Sequence, residues 1–145
     1  MFKVFLDANV IADTYDEKRH TYSDSKQALL TLMNDNNVEL YTSCDIITTL
    51  YYILSKQGRA TALDVIVEVN KICIVVDFAN KEIQQSCQLM KENPHHKDLE
   101  DTIQYIMAKK IGADLILSND KGFVSDDIKL LTTPNFNLNY PKGIE

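Results

Sequence analysis

A short apolar run at the start of the chain, FLDANV, ends abruptly in Asp7, with Asn9 two residues on and apolar residues resuming at once. A carboxylate at the lip of a buried strand is costly unless something needs its charge. Two more acidic positions stand in comparable settings. KDLEDTIQYIMA carries Asp98, Glu100 and Asp101 where a helix begins, and LILSND puts Ser118, Asn119 and Asp120 at the end of an apolar stretch. Acids near a helix N-terminus gain about 0.3–1 kcal/mol from the macrodipole, so capping is the ordinary structural reading of Asp98. That reading fits Asp101 less well. It lies three and seven residues before Gln104 and Ala108, on a side where small residues permit close packing against a sheet. Three acids brought together without a cation repel and raise one another's pKa values. Mg²⁺ resolves the conflict with one or two direct carboxylates and several retained waters. Water activated in this way attacks phosphodiesters.

The elements that must position these acids follow from periodicity. A strand is expected over Val4 to Leu6 and a helix from Tyr22 to Asn34, with Ser23 as a cap. A strand around Val38 to Tyr41 leads to a helix capped by Ser43, whose apolar set runs from Ile46 to Leu54 and stops near Gly58. Helix from Thr61 to Lys71, strand over 72–78 and helix through Ile83, Cys87 and Met90 come next. Pro94 ends that helix. A further helix spans Thr102 to Ile111 with Gly112 at its C-terminus, followed by a strand near Leu115 and a last short strand in DIKLLT. Strands alternating with helices imply a largely parallel sheet covered on both faces, with the functional crevice at the carboxyl ends of the strands. Asp7 and Asp120 both fall at such ends.

At 145 residues, 45% hydrophobic and 25% charged, the composition is that of one soluble globular domain. No apolar run approaches the roughly 18 residues of a membrane span, and MFKVFLDANV lacks the regions of a signal peptide, so the mature protein is expected to begin here. Cys44, Cys73 and Cys87 are odd in number without CxxC spacing, and are expected as buried thiols in a reducing cytoplasm. A formal charge of −6 argues against a nucleic-acid coat protein but not against a nucleic-acid enzyme whose acids gather cations. His95 and His96 read as an exposed loop beside Pro94, and His20 as a solvated turn near Lys18 and Arg19. Tyr51 and Tyr52 read as core or dimer contacts rather than base-stacking residues.

The ordered set of motifs resembles the PIN domain, the metal-dependent ribonuclease fold used by VapC-type toxins of toxin–antitoxin pairs. LDANVIAD resembles its first motif. LEDTIQYIMAKKIGADLILSNDKGF resembles its second half, and IKLLTTPNF is similar to the ending of a PIN subgroup of predicted toxins. The resemblance implies a single three-layer α/β/α domain over residues 1–145 with a central, mostly parallel sheet. It implies a cytoplasmic endoribonuclease using Mg²⁺ or Mn²⁺, the toxin of a type II pair, with RNA as substrate, a small antitoxin as partner and a homodimeric state. Asp7 and Asp101 match the principal metal ligands and Asp120 a further acid of the site. Asn9 and Ser118 match polar residues that steady those acids.

One position departs from the pattern. The family has a Glu in the helix after its second strand where IITTLYYIL places Thr49. Thr49 supplies no charge, and Asp45, one helical turn earlier, is a substitute on the same face. Thr49 motivates one alternative, a PIN scaffold that binds RNA or protein with weakened catalysis; the opening strand that ends in Asp7 motivates a second, a phosphatase of haloacid-dehalogenase kind. The second wants an Asp two residues after Asp7, where this chain has Asn9.

Overall fold

The computed structural model describes residues 1–144. In chain order it comprises β1 (Phe2–Leu6), α1 (Ala8–Thr14), α2 (Tyr22–Met33), β2 (Val38–Ser43), α3 (Asp45–Leu54), α4 (Arg59–Ile72), β3 (Cys73–Val76), α5 (Asn80–Glu92), α6 (Leu99–Lys110), β4 (Leu115–Leu117), β5 (Lys129–Leu131) and α7 (Thr133–Asn139). A 3-10 turn, Ser55–Gln57, separates α3 from α4.

The strands form one sheet in the order β3-β2-β1-β4-β5, and every neighbouring pair runs parallel. β1 is central: Val4 pairs with Leu40 on one side and Leu115 on the other. Strand alternation sends Val4, Leu6, Leu115 and Leu117 to one face, where Val10, Ile11, Leu29, Leu32, Leu50 and Phe136 of the covering helices bury them. Phe5, Tyr41, Val76 and Ile116 face the other way, against Ile103, Tyr105, Met107 and Ala108 of α6. Helices α1–α4 and α7 thus cover one face and α5 and α6 the other, which is the three-layer α/β/α architecture expected.

Two helices were not expected from periodicity. α1 starts directly after Asp7 and is only seven residues long, too short for an apolar repeat to declare itself. α7 is rich in Asn. It is held by Thr132, whose hydroxyl accepts from the Asn135 amide at 3.3 Å, by Pro134 in the first turn and by the fully buried Phe136. At the other helix ends, Thr21 rather than Ser23 precedes α2, and the Ser43 hydroxyl bonds the Asp45 side chain instead of capping α3. α6 closes in a Schellman arrangement: Ala113 donates to the Ala108 carbonyl at 2.9 Å and Gly112 to Lys109 at 3.1 Å. Gly112 has φ +67°, where a Cβ would be strained.

The expected face of α5 is reversed. Ile83 is 43% exposed and Cys87 is exposed, while Glu82 and Ser86 are buried. Glu82 is satisfied there: its Oε1 accepts from the Ala79 amide at 3.1 Å and lies 3.5 Å from Lys110 Nζ, and Ser86 donates to the Glu82 carbonyl. Of the three thiols expected to be buried only Cys73 is; Cys44 is partly covered. Burial pushes the Cys73 thiol up to about 12, which makes it inert. Among the described residues no helix is long and apolar enough to cross a membrane.

Candidate active site

The chain leaves the sheet in opposite directions from β1 and β4, so the crevice above their carboxyl ends is the topological switch point of this sheet. Asp7 stands at its floor, 4% exposed, with its amide bonded to the Leu117 carbonyl at 3.0 Å. Its Oδ2 accepts from Ser118 Oγ at 2.7 Å and from Asn9 Nδ2 at 3.1 Å. The expected steadying roles of Asn9 and Ser118 therefore have direct contacts behind them. Burial raises the Asp7 pKa, and the charge of Asp120 adds to this. Hydrogen bonding from Ser118, the Ala8 backbone and Gln104 opposes both.

α6 brings the second acid. Asp98 caps the helix by accepting the Asp101 amide at 2.9 Å, which confirms its capping role and fixes the first turn over the crevice. The Asp101 carboxyl is half-buried and pushed up to about 7, first by burial, then by the charges of Asp7, Asp120 and Asp98 and a hydrogen bond to Asp120. Asp120 itself is exposed. Its amide donates to Ser118 Oγ at 3.1 Å and its Oδ1 accepts from the Gly122 amide at 2.8 Å. A Cβ on Gly122 would lie 3.3 Å from that oxygen, a tight contact that glycine avoids. Asp7, Asp101 and Asp120 thus meet at one crevice, and none of them has a Lys or Arg within ion-pair distance among the described residues.

The acids surround the crevice without clenching: among the described residues no group of three or more His, Cys, Asp or Glu is close enough to hold one ion jointly. This arrangement still fits Mg²⁺ or Mn²⁺, since Mg²⁺ keeps most of its waters and needs one or two direct carboxylates. Burial and the neighbouring charges that hold Asp101 near 7 disfavour its ionised form, a cost that a cation relieves. At the position of the missing Glu, Thr49 is half-buried on α3. Glu100, which sequence reasoning left as a helix-start acid, has its pKa raised by burial and then by the charges of Asp45, Asp7 and Asp98. Glu100 therefore feels the negative charge of both Asp45 and Asp7.

A polar network beneath the site was missed from sequence. Asp13, buried at the end of α1, accepts from Arg19 Nε at 2.5 Å, from Thr21 Oγ1, and from Asn119 Nδ2 at 2.8 Å. Asn119 in turn accepts from the Thr133 amide at 2.9 Å and donates its own amide to Asn9 Oδ1 at 3.1 Å. The available signal was an acid at the end of the apolar run NVIAD, where an unpartnered carboxylate could not be tolerated. His96 is a second correction: it is 4% exposed, its Nε2 sits 2.9 Å from Asp126 Oδ2, and its ring stacks 5.3 Å from Tyr105. Tyr105 donates to Asp127, so the loop before α6 is fastened to the loop after β4. His95 and His20 are exposed as expected. Tyr51 packs on the core while Tyr52 is 69% exposed. A groove of about 1000 Å³ lined by Tyr15, Tyr22, Leu29, Leu30 and Met33 lies elsewhere and includes none of the crevice acids.

The PIN domain family profile matches residues 3–122. Over 134 residues the chain is 48% identical to ribonuclease VapC1 of Aquifex aeolicus (strain VF5), a match covering 92% of each chain. Among solved structures, the sarcin-ricin loop cleaving toxin VapC20 of Mycobacterium tuberculosis superposes with a TM-score of 0.68 at 14% identity, covering 85% of this chain and 98% of that one. VapBC2 of Rickettsia felis, solved bound to a DNA fragment from its promoter, gives 0.67 at 17% identity, covering 90% and 98%. Those two bear on the fold alone. With the profile spanning most of the chain and a relative this similar along its length, the chain belongs to the PIN domain family, and within it to the VapC type.

Proposed function

We propose that this protein is an endoribonuclease that hydrolyses RNA phosphodiesters at the crevice of Asp7, Asp101 and Asp120 with the aid of Mg²⁺ or Mn²⁺, and that it acts as the toxin of a toxin–antitoxin pair. The observation that carries the site is a set of carboxylates gathered at one crevice without a basic partner; burial first and the neighbouring charges next raise Asp101 to about 7. Asp7 and Asp101 are the acids assigned to hold the cation, and Asp120 completes the negative rim. A bound divalent ion would supply activated water and neutralise charge developing on the phosphate oxygens. The protein's own part is positional. Ser118 and Asn9 aim the Asp7 carboxylate, the Asp98 cap fixes the turn bearing Asp101, and the Gly122 amide holds Asp120.

The 48% identity to a ribonuclease supports RNA as substrate, and the same kinship supports a small antitoxin as partner. A homodimer is the assembly we assign. The exposed Leu30 and Met33 of α2 and Ile83 of α5 are apolar surface available to such partners. The phosphatase alternative has no support in the site, because the Asn9 amide is committed to Asp7 and no acid takes its place. The weakened-scaffold alternative rests on Thr49; the charges of Asp45 and Glu100 beside Asp7 favour the active reading over it. Titration calorimetry with Mn²⁺, run beside RNA cleavage in the same cation, tests the reading. Binding and cutting that both disappear in Asp7→Asn support it; strong Mn²⁺ binding left intact in Asp7→Asn and Asp101→Asn would move the cation site elsewhere.

A further inference from the structure

The network under the crevice contains one cation, and its geometry is unusual for a group serving only to neutralise a buried acid. Arg19 lies in the loop between α1 and α2, where its amide bonds the Asp16 carbonyl and its carbonyl receives the Tyr22 amide, so its backbone is fixed. The side chain meets Asp13 through Nε alone, at 2.5 Å, and is 33% exposed. Its two Nη groups have no hydrogen-bond partner among the described residues. Asp13 meanwhile holds Asn119 with its other oxygen, and Asn119 is bonded to Asn9 and directly precedes Asp120. The guanidinium is therefore tied to the crevice floor through Asp13, Asn119 and Asn9, held at Nε and unsatisfied at both Nη groups.

A guanidinium held this way offers two parallel N–H donors, the geometry that matches two oxygens of a phosphate. The protein carries a net charge of −6 and concentrates acid at its crevice, so a polyanionic substrate needs a fixed cation beside the acids to offset repulsion. We propose that Arg19 is a phosphate-binding residue. Asp13 fixes its guanidinium through Nε, and its Nη groups take a backbone phosphate of the RNA at the edge of the crevice. This rests on the ribonuclease reading above. Asp13, already supplied with donors by Thr21, Ser25 and Asn119, acts as a positioning residue for both Arg19 and Asn119.

The test is fluorescence anisotropy of a labelled single-stranded RNA in EDTA, where no cutting occurs, at several NaCl concentrations, with cleavage kinetics in Mn²⁺ measured alongside. Arg19→Met is expected to weaken RNA binding roughly tenfold and to reduce the slope of log Kd against log salt by about one. Arg19→Lys keeps a charge beside Asp13 and folds if the pair alone matters. It is expected to weaken binding severalfold because a single ammonium cannot reproduce the paired donors. In cleavage, KM rises for both variants while kcat stays near the wild-type value. Wild-type affinity, salt slope and KM in both variants, whatever their melting temperatures, would overturn the proposal while leaving the nuclease reading in place. A wild-type protein that neither binds nor cuts RNA would instead remove the nuclease reading and this proposal with it.

Discussion

Asp101→Asn in the cation-free protein probes the crowded acids most sharply. Burial and the charges of Asp7 and Asp120 take the Asp101 carboxyl from 3.8 to about 7. A carboxyl whose folded pKa lies above its unfolded one favours the protonated fold. Its stabilising contribution is complete below about pH 4 and is lost as pH rises through about 7. At about 1.36 kcal/mol per pH unit, the full elevation corresponds to an upper bound of about 4 kcal/mol. Asp101 is half-exposed, so solvent screening reduces this to about 1–2 kcal/mol. Replacing the charge near the start of α6 also forfeits roughly 0.3–1 kcal/mol of helix-dipole interaction. In EDTA at pH 8 the Asn variant should therefore exceed wild type by about 1 kcal/mol, or about 2–4 °C in melting temperature. At about pH 4, close to the unfolded pKa, the advantage disappears. Saturating Mg²⁺ at pH 8 reverses the order, because only wild type gains. Thermal or urea unfolding at both pH values reads all three comparisons. A variant less stable than wild type at pH 8 in EDTA, or a difference independent of pH, would refute the idea that burial and the neighbouring carboxylates disfavour the Asp101 charge.

Asp13→Ala removes the acid that joins Arg19, Thr21 and Asn119, and should cost about 2–4 kcal/mol in urea unfolding, below the full range for a buried pair because Arg19 is partly solvated. His96→Ala leaves Asp126 unpaired and opens space beside Tyr105; a loss of about 1–3 kcal/mol is expected, together with faster amide exchange in the loops around residues 96 and 126. Thr49→Glu adds a fourth acid on α3 and should tighten Mn²⁺ binding about fivefold by calorimetry, the effect of roughly 1 kcal/mol from one more screened carboxylate.

What the sequence made legible was whatever depended on local pattern. Asp7 announced itself because a strand of Val and Leu has no structural use for a terminal acid, and the order of strands and helices placed Asp7 and Asp120 at the same edge. Asp98 was readable as a cap for the same local reason. Asp13, Arg19 and Asn119 were hidden because their meaning lies in contacts between α1, the following loop and the end of β4, which no spacing encodes. His96 looked like loop because its burial comes from Tyr105 and Asp126, nine and thirty positions away. α5 misled through its apolar stripe. Periodicity favours burying Ile83 and Cys87, yet the Glu82 bonds to Ala79 and Lys110 allow the polar side to face inward. Glu100 was overshadowed by Asp101, and only the fold reveals that it faces the charges of Asp45 and Asp7.

The central claim is that these acids form a cation-dependent site for cutting RNA. Cleavage of single-stranded and structured RNAs by wild type and Asp7→Asn, each in Mg²⁺, Mn²⁺ and EDTA, tests it most directly. The account predicts cutting by wild type in either cation, none in EDTA, and a loss of at least about a thousandfold in Asp7→Asn with its fold intact. Equal cutting in EDTA, or a fully active Asp7→Asn, would contradict it.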